Sequence, residues 1–232
     1  MVAVDGSTNI PTALFYEPHG SVLIGSEALS KAKSSHAVFN TDFKLELGKV
    51  DPTSQQQRKK FNTAAGTTES AARLTTDFLH KLLLHTRDWL LKSGISESSH
   101  ILLAEPIAMQ TENGFVSSDW LSNYRRNLER ILKGDGFQNI DFLPEPFAVF
   151  QYYRYGLRHP LVAERIKQNA LVIDFGGGTF DVCLIETKKD GDISQTGRNS
   201  RPPAAASEPV GGFFINGSLL KSYFVNLCHL EE

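Results

Sequence analysis

The chain has 232 residues, enough for one large domain or two modest ones around a substantial core. It is 41% hydrophobic and 22% charged with a formal net charge of −2, which gives no ground for a nucleic-acid or acidic-membrane surface. Its two cysteines, Cys183 and Cys228, have no Cys-x-x-Cys spacing and supply neither a zinc site nor a disulfide framework, and no apolar run approaches membrane-spanning length.

The opening MVAVDGST has no charged leader, so a cytoplasmic protein is the expectation. Val2–Val4 reads as a strand and Asp5–Gly6–Ser7 as a turn. Ile10–Tyr16 and Ser21–Ile24 read as two strands joined by the polar turn Glu17–Gly20. Residues 25–66 are polar and weakly periodic apart from FKLELGK at Phe43–Lys49, and Pro52–Gly66 reads as an exposed loop or short helix. From Thr67 to Lys92 the spacing is helical: Leu74, Phe78, Leu82 and Trp89 line one face, Leu79, Leu83 and Leu90 widen it, and Ser93–Gly94 supplies the stop. His80 and His85 lie five apart on that helix, about 140° around its axis, and so do not share a metal.

His100–Ala104 reads as a buried-type strand ending at Pro106. Ser118–Asp119 starts a second helix that ends at Gly134 or Gly136. The arginines of that helix, Arg125, Arg126 and Arg130, are interleaved with Asn127, Leu128 and Glu129, as on a solvated face. A short strand over Phe137–Phe142 and a third helix from Pro146 to Tyr153 follow. Two further strands, Ala170–Ile173 and Phe180–Ile185, flank three consecutive glycines. Ser194–Pro209 is rich in breakers and reads as a long exposed loop, and Gly211–Gly212 precede a last helix using Phe214, Leu219, Leu220, Tyr223 and Leu227. Strands alternating with helices imply an α/β fold with strands buried on both faces.

The chemistry is concentrated in ALVIDFGGGTFDVCLIE, Ala170–Glu186. A tight hairpin needs one or two residues able to take positive φ, not the three of Gly176, Gly177 and Gly178. Consecutive N–H groups without side chains make an anion-binding concavity, and each charge-assisted hydrogen bond there contributes about 1.5–3 kcal/mol, against roughly 0.5–1 kcal/mol lost per ordered glycine. Thr179 adds a hydroxyl at the same mouth. Asp174, at the end of the incoming strand, is suited to Mg²⁺ or its waters. The plainer reading is a glycine-rich hairpin with no ligand.

DFGGGTFDV at Asp174–Val182 resembles the second phosphate loop of the DnaK-type chaperones, the heat shock protein 70 family of the actin-like ATPase superfamily. LPEPFAVFQYY at Leu143–Tyr153 is similar to that family's Glu-Pro helix start, VGGFFINGSLL at Val210–Leu220 to its Gly-Gly helix start, and IPTALFYEPHGSVLIGSEAL at Ile10–Leu29 to the strand pair after its first phosphate hairpin. The resemblance implies an actin-like ATPase (ribonuclease H-like) lobe with a mixed β-sheet flanked by helices over 1–167, an inserted subdomain at about 12–68, and the start of a second lobe over 168–232. It also implies ATP and Mg²⁺ as cofactors. Gly176, Gly177, Gly178, Thr179, Gly211 and Gly212 would meet the nucleotide, and Asp174, Asp181 and Glu145 the metal shell. Lys44 and Glu145 would be the catalytic pair, with Pro106 and Arg125 as relay residues. ATP or ADP would be the ligand, and unfolded polypeptides and co-chaperones the partners, with no nucleic acid and no membrane.

The sequence departs from the family in three places. Its first phosphate loop, Asp-x-Gly-Thr-Thr or -Ser, has only a tighter counterpart at Asp5–Gly6–Ser7–Thr8. If Met1–Val4 is instead the strand after that loop, the loop lies outside the chain. Phe213–Phe214–Ile215–Asn216 stands where the family is acidic, and the chain ends soon after the second lobe begins. The expectation is a fragment with weak or no turnover alone, whose complete domain hydrolyses ATP. A filament-forming bacterial actin relative and a sugar or acetate kinase of the same superfamily are the alternatives, and Phe180–Asp181 after Thr179 favours the chaperone branch.

Overall fold

A computed structural model describes residue 6 and residues 8–32, 38–56, 59–107, 118–153, 169–175, 180–186 and 204–208. The fold is mixed α/β with several small sheets, and the chain divides into two units, Met1–Ile101 with Asp119–Ile140 and Leu102–Ser118 with Asp141–Glu232. The strand expected at Val2–Val4 lies outside the described residues.

In the first unit, β1 (Leu14–Tyr16) and β2 (Val22–Ile24) form an antiparallel hairpin with Leu14 opposite Ile24 and Tyr16 opposite Val22. The turn expected at Glu17–Gly20 is present. Gly20 donates its N–H to the Glu17 carbonyl and has φ +85°, a conformation that favours glycine. β1 begins later than the apolar pattern suggests, because Pro11 cannot donate to a ladder and its carbonyl accepts from Ala13 N–H in a local turn. β3 (Phe39–Asn40) pairs with the other edge of β1. One helix, α1 (Gly25–Ala32), falls in the stretch that reads as weakly patterned, and another, α2 (Phe43–Leu47), falls on FKLELGK, the patterned segment within it. The supposed loop at Pro52–Gly66 contains β4 (Phe61–Asn62), which pairs with β5 (Thr68–Glu69).

That hairpin also takes the first residues of the long helix, so α3 runs from Ala71 to Lys92. Ser70 caps it by accepting from Arg73 N–H, and Gly94 at φ +66° follows the C-cap Ser93. Leu74 and Phe78 join Leu14, Tyr16, Ile24, Phe43, Val50 and Phe61 in the core. The apolar face fades toward the C-terminus of α3, where Trp89 is 36% and Leu91 79% exposed. Tyr16 donates its hydroxyl to Asp77 Oδ2 at 2.6 Å, and burial together with that carboxylate holds the phenol far above its ordinary pKa. α4 (Ser118–Gly134) has the expected limits and buries Trp120, Tyr124, Asn127, Leu128, Ile131 and Leu132.

β6 (His100–Glu105) and β7 (Asn139–Pro144) are hydrogen-bonded neighbours. β6 is not the doubly buried strand its composition suggests: its burial alternates, and Leu102 is 60% exposed. In the second unit, α5 (Glu145–Gln151) carries Pro146 in its first turn, where a missing N–H costs nothing. β8 (Asn169–Phe175) and β9 (Phe180–Glu186) form an antiparallel hairpin, and β10 (Ala204–Glu208) adds to β9. β10 corrects the end of the loop expected over Ser194–Pro209. One face of the hairpin, through Val172, Cys183 and Ile185, packs with Phe147 and Phe150 of α5. The other leaves Leu171, Ile173 and Phe175 exposed, so β8 is buried on one face only.

Candidate functional site

The β8–β9 hairpin defines the site. Its register places Val172 opposite Cys183, Asp174 opposite Asp181 and Phe175 opposite Phe180, leaving Gly176–Thr179 as the four-residue connection. Residues directly opposite in an antiparallel pair project to the same face. Asp174 and Asp181 therefore lie side by side on the inward face, one step beyond Val172 and Cys183 and next to the glycine connection. Asp181 is 2% exposed and Asp174 is half-buried. Like charges directly opposite on a sheet are destabilising. Their oxygens are also the hard donors that suit Mg²⁺.

Glu145 is the first residue of α5, half-buried, and follows Pro144 at the end of β7. α5 packs against the same inward hairpin face through Phe147 and Phe150. Pro106 is buried just after β6. Among the described residues no group of three His, Cys, Asp or Glu side chains is arranged as a metal cluster, so Glu145, Asp174 and Asp181 do not form one. Gly176, Gly177, Gly178, Thr179, Gly211 and Gly212 lie outside the described residues.

The other two candidates belong to the first unit. Lys44 is half-buried on α2, whose Phe43 and Leu47 are buried. Arg125 is exposed on α4, off the buried stripe formed by Tyr124, Asn127, Leu128 and Ile131.

Sequence reasoning passed over three residues that the fold singles out. Glu105, 1% exposed at the end of β6, precedes Pro106 as Glu145 precedes Pro146; that repeated Glu-Pro at a strand end is a legible signal. Trp120 and Asn127 bond to the backbone around α2. The Trp120 indole N–H donates to the Leu45 carbonyl at 3.0 Å, and Asn127 Nδ2 donates to the carbonyls of Leu47 at 3.0 Å and Val50 at 2.9 Å. These contacts span 75 to 80 residues of sequence and leave no local signature.

No family model matches the chain, and no curated protein matches it.

Proposed function

We propose that the chain carries the phosphate-binding part of a nucleotide site of the DnaK type, in which Asp174 and Asp181 hold the Mg²⁺ shell of ATP and Gly176–Thr179 receive its phosphates. The observation that supports this reading most is the hairpin register. It sets two carboxylates opposite one another, largely withdrawn from water, beside a connection made of three glycines and a threonine. A hairpin built only for packing would continue the Val172–Cys183 pair with another apolar pair. Facing acids make sense where a cation joins them.

The donor set fits Mg²⁺ in kind, with carboxylate oxygens and no nitrogen or sulfur, and with few protein ligands. That ion keeps several waters and is commonly held by one or two carboxylates together with phosphate oxygens. Bound there, Mg²⁺ would neutralise charge on the phosphates. In this reading Glu145 orients water at the start of α5. Chaperone partners, polypeptide clients and hydrolysis by the complete domain are part of the same proposal.

Calorimetric titration of the chain with ATP, in Mg²⁺ and in EDTA, tests it. Binding that requires Mg²⁺ and is lost in Asp174→Asn is the expected result. An Asp174→Asn chain that binds Mg·ATP as the unaltered chain does would remove Asp174 from the metal shell. No binding by either would overturn the reading.

A further inference from the structure

We draw no further inference here: the strongest candidate, the apolar outer face of the β8–β9 hairpin formed by Leu171, Ile173, Phe175 and Leu184, carries none because nothing in the structure shows what covers it.

Discussion

Gly48→Ala tests the close approach of the Trp120 ring to the backbone at the end of α2. Gly48 has φ −72° and ψ −15°, an ordinary right-handed conformation in which alanine is unstrained. On backbone grounds alone the substitution would stabilise the chain by about 0.4–1 kcal/mol, by restricting the unfolded state. The structure predicts the opposite sign. A Cβ at position 48 would fall within 2.5 Å of Cε2, Nε1 and Cδ2 of Trp120. Carbon atoms in contact sit about 3.5–4.0 Å apart, so the ring or the helix must move by about 1 Å or more. The indole cannot yield freely, because it is 6% exposed, bonded to Leu45 O and stacked on Tyr124. Overpacking of this kind costs about 1–3 kcal/mol and occasionally more. At ~3 kcal/mol the melting midpoint should fall by about 12 °C or more, on the scaling for a domain near a hundred residues. Thermal unfolding followed by circular dichroism reads this, and Trp120→Ala in the Gly48→Ala background should recover part of the loss, since it removes the obstructing ring. A Gly48→Ala chain that melts at or above the unaltered one would refute the close approach.

Asn127→Asp should destabilise the first unit by roughly 3–5 kcal/mol, because a buried carboxylate would face the carbonyls of Leu47 and Val50 without a donor between them; chemical denaturation measures it. Burial pushes the Cys183 thiol above its usual range, so in a Cys228→Ser chain alkylation should be slowed on the order of a hundredfold or more in the folded state, with rapid native-state labelling the contrary result. The N–H groups of Ser54 and Thr53 bond to Asp51 and hold its carboxyl below its ordinary value. Its stabilising contribution is therefore complete above the unfolded-state value of 3.8 and is lost as pH falls through the lower folded value, so Asp51→Ala should flatten the melting-temperature profile between about pH 5 and pH 2. Asp174→Asn should raise the melting temperature in EDTA by relieving the like-charge pair with Asp181, and Mg·ATP should then add less to it than it adds to the unaltered chain.

The hairpin was legible because its signals are local: two apolar strands flank the glycines that mark the connection. The C-terminal stop of α3 and the limits of α4 were legible for the same reason: Ser118, Ser93–Gly94 and Gly134 act within a turn of where they stand. α1 was not legible. Its residues are GSEALSKA, with only Gly25 and Ala28 buried, and it follows β2 directly at Gly25, whose φ is +61°. β10 reads AAASE and lacks β-branched residues; its strand form comes from pairing with β9, a partner that local propensity does not register. The bonds from Trp120 and Asn127 to the backbone around α2 are tertiary throughout, and each residue taken alone looks like part of an amphipathic helix.

The hairpin also shows why apolar content misjudged burial. Leu171, Ile173 and Phe175 have the composition of a doubly covered strand, yet the structure leaves them 56–61% exposed, while the acidic pair takes the covered face. Hydrophobic burial alone would favour the reverse register, with the leucine, isoleucine and phenylalanine against α5 and the aspartates in water. What opposes that exchange is the set of Val172, Cys183 and Ile185, which a one-residue slip would carry outward together. The aspartates are thus held inward by their apolar neighbours. If the proposed cation site is right, carboxylates placed by a register that packing enforces would meet the ion with no rearrangement of the backbone beneath them.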